Sequence, residues 1–340
     1  MILHIFNPEH DLALAANLSN FIAPRAARLL RQQLGWLPAL WAEEDDLILV
    51  DDVMTAQGAY GQLGGERRFV DKTELSRFDV TEVRPWGWDL ALRRFLLRHG
   101  VEAVPTEDVI AGIRELSHRK YAVSLLGSLQ CSGTVGFSTE ADSLDEVMEC
   151  LHQYGRIVVK APWSSSGRGV RFVDSSLNES QQQWIRNVIE HQGSVVVEPF
   201  YQSIKDFGME FDSDGEGQVR YLGLSIFVTK NGAYKGNVLM QERAKEEFIS
   251  RYVSVNLLHG TQEKICGELG HLYKNRYKGP FGIDMMIVSK PDEEGLFLHP
   301  CVEINLRHTM GHVALSLEKL LQIGVVPQFF ANGRLGPVTW

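Results

Sequence analysis

The stretch from Gly282 to Arg307 constrains this chain more than any other. It reads as two β-prone runs, Gly282-Ile283-Asp284-Met285-Met286-Ile287-Val288 and Leu296-Phe297-Leu298-His299-Pro300-Cys301-Val302-Glu303-Ile304-Asn305-Leu306-Arg307, separated by a turn-forming stretch at 289–295. Successive side chains of a strand point to opposite faces, so the pair reads as a hairpin with two unlike faces. A turn centred on Asp292-Glu293 sets Asp284 opposite Cys301, one diagonal step from Glu303, and gathers Asp284, Glu303 and Asn305 on one face. The other face is apolar, with Ile283, Met285 and Ile287 from one strand and Leu298, Val302 and Ile304 from the other. Two carboxylates and an amide oxygen on one sheet face suit a hard cation such as Mg²⁺, which takes oxygen ligands and completes its shell with water and phosphate. A merely solvated acidic face is the plain alternative.

A second segment, from Val158 to Val173, reads as strand, polar glycine loop, strand: Val158-Val159-Lys160-Ala161-Pro162-Trp163-Ser164-Ser165-Ser166-Gly167-Arg168-Gly169-Val170-Arg171-Phe172-Val173. Loop amides and the hydroxyls of Ser164, Ser165 and Ser166 can donate to phosphate oxygens. Gly167 and Gly169 permit close backbone approach, and Lys160 adds a point charge that is expected to face an open cleft. A P-loop or a dinucleotide fingerprint needs a different glycine spacing that leads into a helix, and neither is present. A solvent-exposed hairpin is the competing reading.

The other segments set the context. The chain has 340 residues, enough for two or three units at about 150 residues each. Residues 2–6 and 47–50 look like buried parallel strands, and a helix after Pro24 carries Ala27, Leu29, Leu30 and Leu34. Another helix runs through 90–97 and ends at Gly100. The pattern turns helical beyond Pro105 and β-rich from Arg156, with Asp214-Gly215 and Asn231-Gly232 as hairpin turns. The divisions that follow are 1–105, 106–200 and 201–340. A net charge of −9 argues against nucleic acid as partner. The start lacks a basic or long apolar leader and no apolar run approaches a membrane span, which implies a cytoplasmic protein with no membrane partner. Four scattered cysteines form no C-x-x-C pair.

Together the glycine loop, the segment Val195-Val196-Val197-Glu198-Pro199-Phe200 and the run Val302 to Arg307 resemble the ATP-grasp superfamily, over about 117–311 of the chain. The resemblance implies a mixed α/β and α+β fold, with an N-terminal open α/β domain followed by a two-subdomain ATP-grasp fold. It implies that ATP and Mg²⁺, or Mn²⁺ in its place, are bound. Lys160 would contact the α- and β-phosphates, the loop from Ser164 to Gly169 would cover the β- and γ-phosphates, and Glu198, Pro199 and Phe200 would hold adenine. Asp206 would bind ribose, although the family often has Glu there. The earlier phosphate-binding lysine would be Lys120, or its neighbour Arg119. Asp284, Glu303 and Asn305 would carry the metal, and Arg307 would face the transferred group.

The activity so implied is that of an ATP-dependent carboxylate–amine ligase. A carboxylate is phosphorylated, and an amine then attacks the acyl phosphate. Its partners are small-molecule carboxylate and amine substrates, and the oligomeric state stays open, a homodimer included. Phosphotransfer to a small molecule and nucleotide binding without turnover are the rival outcomes. A zinc site at His308 and His312 is a weaker rival because no H-E-x-x-H accompanies them. Asn7, His10 and Asp11 after the first strand, and Lys235, Asn237, Arg243 and His308, are further substrate-pocket candidates. Clustered acids repel one another, so neutralising Glu303 is expected to leave stability unchanged or raise it.

Overall fold

The computed structural model describes residues 1–63, 65–164, 169–230, 233–290, 293–322 and 328–337. The chain divides into two compact units. The first comprises Met1–Glu115, Gly236–Met240 and Arg307–Trp340, and the second Leu116–Lys235 and Gln241–Leu306. Among the described residues no helix is long and apolar enough to cross a membrane.

The first unit is built on a parallel sheet of β1 (Ile2–Ile5), β2 (Leu47–Leu49), β3 (Arg68–Val70) and β4 (Glu82–Pro85), in the order β3-β2-β1-β4. Both faces are covered, as parallel sheets require. Leu3, Leu47, Val70 and Val83 join one core with Leu92 and Leu96 of helix Leu90–Arg98. Phe6, Ile48, Phe69 and Trp86 join the other with Leu34, Ala56 and Tyr60. The two outer strands escape sequence reading because they are three and four residues long and carry charges. The helix after Pro24 forms at Arg25–Leu34, but Leu29 and Leu30 are exposed and only Leu34 of its apolar set is fully buried. Segment 237–239 pairs antiparallel with strand Gln328–Ala331, which pairs with Arg334–Pro337. Between those two lies Asn332-Gly333 with both φ angles positive, the conformation that favours this dipeptide in two-residue hairpin turns.

The second unit contains two antiparallel sheets. In the smaller, β5 (Thr139–Ala141), β6 (Arg156–Lys160), β7 (Val170–Asp174) and β8 (Val195–Pro199) lie in the order β5-β8-β6-β7. Helices Leu144–Tyr154 and Glu179–Gln192 cover one face, where Val147, Leu151, Ile185 and Val188 meet Ile157, Val159, Val195 and Val197. The larger sheet holds β9 (Gln202–Ser213), β10 (Val219–Lys230), β11 (Ala233–Leu239), β12 (Gly279–Lys290) and β13 (Glu293–Asn305). Its order is β13-β12-β9-β10, with the first residues of β11 following. Asp214-Gly215 does turn the chain between β9 and β10, the Asp214 carboxylate accepting from the amides of Glu216, Gly217 and Gln218. Asn231-Gly232 lies outside the described residues. The loop before β5 is tied to β13, since the Leu298 amide donates to Gly133 O at 3.0 Å and the Val135 amide to Leu298 O at 2.8 Å.

Asp89 anchors the switch between strand and helix in the first unit. It caps helix Leu90–Arg98 through the Leu92 amide at 2.9 Å and accepts from the buried Asn7 amide at 3.2 Å. Asp89→Ala loses a cap and one acceptor of a buried amide, which sums to about 2–4 kcal/mol. Urea unfolding of the variant is expected to show that loss, and a change under about 0.5 kcal/mol would refute the anchoring role.

Candidate functional site

Within the second unit, polar side chains of both sheets converge. Lys160, the last residue of β6, is not exposed as its expected role required. It is buried, and its ammonium donates to Glu198 Oε1 at 2.7 Å and to Val302 O at 3.2 Å. Val158, two residues before Lys160, is the residue that lies opposite Glu198 in the ladder, which brings the long lysine side chain diagonally over the glutamate's strand. Ser138 also donates to Glu198. The carboxylate is thus held from two sides, while Pro199 ends the strand and the Phe200 ring lies 3.6 Å from the Arg156 guanidinium.

The glycine loop closes at its base. Ala161 N donates to Gly169 O at 2.8 Å, and a side chain at position 169 would collide with Ser164, so only glycine fits. Ser165, Ser166 and Gly167 lie outside the described residues.

Arg119 and Lys120 make different contacts. Arg119, buried at the start of helix Lys120–Ser128, donates from Nη1 to Ala161 O at 3.0 Å and to Ser164 Oγ at 3.4 Å. Its Nη2 donates to Glu303 Oε1 at 2.7 Å, so one guanidinium joins the loop base to the acidic hairpin. The Lys120 ammonium instead lies over the Tyr121 ring, 5.4 Å from its centre.

The acidic hairpin forms with a different register from the one read off the sequence. Met286 pairs with His299 as expected, but Asp284 pairs directly with Glu303 rather than with Cys301. One residue, Met285, therefore stands against three, 300–302. Pro300 explains the irregularity: without an N–H it cannot donate to the ladder, and the strand bulges there. The shift also changes the core face. Ile283, Met285, Ile287, Leu298 and Ile304 are buried as expected, whereas Val302 is only part-buried and Cys301 takes the inner place. Asn305 stands across from Gly282, and its amide nitrogen donates to Asp284 Oδ2 at 3.2 Å.

Glu210 on β9 is a member of this neighbourhood that sequence reading missed. A Cβ on Gly208 would sit 3.6 Å from both Glu210 Oε1 and Asp284 Oδ1, so the absent side chain makes room for two carboxylates. The signal was present: Asp206, Gly208 and Glu210 alternate with the buried Phe207, Met209 and Phe211. Asp206, on the same face, accepts hydroxyls from Ser203 and Thr229, each at 2.7 Å.

Among the described residues no group of three or more His, Cys, Asp or Glu side chains is arranged to hold a metal ion. The set on this face is two carboxylates and an amide oxygen. That set fits Mg²⁺, which keeps several positions for water and phosphate. The two histidines of the zinc alternative are held by local contacts. His308 precedes helix Met310–Leu320 and stacks on Trp41, and His312 Nδ1 accepts the Thr309 amide in a capping box.

The other candidates are held by local contacts in the first unit or on surfaces. Arg307 forms a two-pronged pair with Asp11, at 2.7 and 2.8 Å. Asn7 donates to Gly87 O and Asp89, and the His10 ring packs where a side chain on Gly87 would be. Asn237 is buried, Lys235 is exposed, and Arg243 pairs with Glu247 on an exposed helix face.

No family model and no curated protein sequence matches the chain. Solved structures match in fold. The chain is similar to N5-carboxyaminoimidazole synthetase from Staphylococcus aureus, with a TM-score of 0.50 and 11% identity, over 96% of this chain and 81% of that one. A structure of that synthetase complexed with ADP matches at TM-score 0.50 and 12% identity, with the same coverage. The chain is also similar to biotin carboxylase from Campylobacter jejuni in a β,γ-ATP complex, at TM-score 0.51 and 12% identity, over 99% of this chain and 72% of that one. These are ATP-grasp enzymes, and this chain has the ATP-grasp fold.

His299, beside this face on β13, is fully buried, and among the described residues neither ring nitrogen has a hydrogen-bond partner. Burial, with Lys160 nearby, pushes its pKa down to about 3. The unfolded chain takes up a proton near the ordinary 6.5, so stability contributed by the neutral ring is complete above that value and is lost as pH falls toward 3. From pH 7 to 5, wild type is expected to lose about 2 kcal/mol more than His299→Leu. Equal losses in urea midpoints at the two pH values would contradict this.

Proposed function

We propose that this chain is an ATP-dependent ligase that activates a carboxylate as an acyl phosphate and joins it to an amine. The observation that carries the reading is the convergence of Arg119 on both the glycine-loop base and Glu303, beside the buried Lys160. On an ATP-grasp fold, two cations between the loop base and the acidic hairpin support a polyphosphate site there.

In the proposed reaction a carboxylate oxygen attacks the γ-phosphorus and the bond to ADP breaks. The amine nitrogen then attacks the acyl carbon, phosphate leaves and the nitrogen gives up a proton. The protein contributes positioning and charge rather than covalent chemistry. Lys160 and Arg119 offset the phosphate charge, and the loop that begins at Ser164 and ends at Gly169 shields the reactive acyl phosphate from water. Asp284, Glu303 and Asn305 would hold Mg²⁺, which when bound neutralises phosphate oxygens. Glu198, Pro199 and Phe200 remain the proposed adenine segment, with Asp206 toward ribose. Arg307 has no part in this chemistry as proposed, since Asp11 occupies its fork.

Incubation with ATP, Mg²⁺ and pools of carboxylates and amines, with mass detection, tests the proposal: ADP, phosphate and a joined product are expected. ADP with only a phosphorylated product would make the chain a phosphotransferase, and no ADP with any pool would make it a nucleotide binder. Glu303→Gln is expected to lower ADP formation at least about 100-fold. It is also expected to lower the thermal midpoint, because the buried Arg119 loses its ionic partner, which reverses the expectation drawn from acid repulsion alone. Full activity in this variant would remove Glu303 from the site.

A further inference from the structure

The first unit contains a cavity of about 630 Å³, wholly lined by its own residues and unrelated to the side chains assigned above to nucleotide chemistry. A cavity of this size matches those that hold small organic molecules. Its position follows from topology. The chain runs β1, β2, β3 in one direction across the sheet and then returns to place β4 on the other side of β1. The segments after the strands line the cavity: Glu9 follows β1, Asp51 follows β2, Lys72 follows β3 and Asp89 follows β4. Open α/β sheets bind ligands in this crevice, at the carboxyl ends of strands where the order reverses.

The charges around it are unevenly matched. Every acid at the cavity already has a donor from its own fold. Arg31 serves Glu9 at 2.7 Å and Asp51 at 3.1 Å, Asp71 accepts the Thr73 amide and hydroxyl, and Asp89 accepts the Leu92 and Asn7 amides. Burial also raises the pKa of the Glu9 carboxyl, which favours its neutral form and weakens the negative field inside. Two cations at the same cavity, Arg28 and Lys72, have no hydrogen bond or ion pair from a side chain among the described residues. Apolar groups complete the wall. Ile22 is 79% exposed beside Phe21, and Leu92 and Phe95 stand on helix Leu90–Arg98. An exposed isoleucine and an apolar wall next to two unmatched cations describe a ligand with an anionic end and an apolar body.

We infer that this cavity binds an organic carboxylate with an apolar body, its carboxylate on Arg28 and Lys72 and its apolar part against Ile22 and Phe95. Guanidinium and ammonium groups recognise either carboxylate or phosphate, but inorganic phosphate has no hydrocarbon body with which to use the wall.

Isothermal titration of the full chain without nucleotide tests this, with 3-phenylpropanoate, 3-phenylpropylamine and inorganic phosphate as probes. Saturable binding of 3-phenylpropanoate alone is expected. The variant Arg28→Gln with Lys72→Gln should weaken it at least tenfold, and Ala91→Trp, which fills the apolar side, should weaken it similarly. Arg98→Gln, an exposed charge on the same unit away from the cavity, should leave it unchanged. Unaltered thermal midpoints are expected for the Arg28 and Lys72 changes, both residues being exposed. Tighter binding of the amine, phosphate binding as tight as that of 3-phenylpropanoate, undiminished binding in the double variant, or no binding of 3-phenylpropanoate would each overturn the inference.

Discussion

Two buried cations carry the second unit's polar face. Arg119 and Lys160 are almost entirely out of water, and each is tied to a carboxylate, Glu303 and Glu198 respectively, at 2.7 Å. Taking such charges from water costs several kcal/mol per ion, and attraction to a well-placed partner offsets the cost. The fold meets that condition through diagonal pairing of β6 with β8 and through the bulge that brings Glu303 directly across from Asp284. Without those partners neither cation would remain where the glycine loop begins. With them, the face is charged and compact.

The same pairing bears on the chemistry proposed for the face. Arg119 touches the loop base and the hairpin at once, so an anion arriving between them competes with Glu303 for the guanidinium. A divalent cation arriving with that anion would compensate the carboxylate that Arg119 gives up. Under the proposed function the two events would favour each other, which would be a physical basis for binding nucleotide and metal together. Glu210 adds a further negative group beside Asp284, in the space that Gly208 leaves open.

Much of this was legible in the sequence, and the failures have specific causes. Parity along the hairpin gave the correct faces for Ile283, Met285 and Ile287 because alternation survives any register. It misplaced Val302 because Pro300 breaks the ladder, and a proline in a strand is itself a visible warning. The different surroundings of Arg119 and Lys120 were not available from spacing, since adjacent residues at a helix start point in different directions and only the packed structure shows which one is buried. β9 was overlooked although its alternation is regular, and the Asn332-Gly333 turn was overlooked although that dipeptide is a strong hairpin signal. The ties of Asn7, His10 and Asp11 depend on partners about 80 to 300 positions away, which no local pattern reveals.

The central claim is that Arg119 exchanges Glu303 for the phosphates of a metal–nucleotide complex. Calorimetric titration of ATP in the presence and absence of Mg²⁺, into wild type and Arg119→Gln, measures it most directly. The account predicts that Mg²⁺ tightens ATP binding to wild type and that the variant loses at least tenfold in affinity together with most of that metal effect. ATP binding to Arg119→Gln with wild-type affinity and wild-type dependence on Mg²⁺ would contradict it.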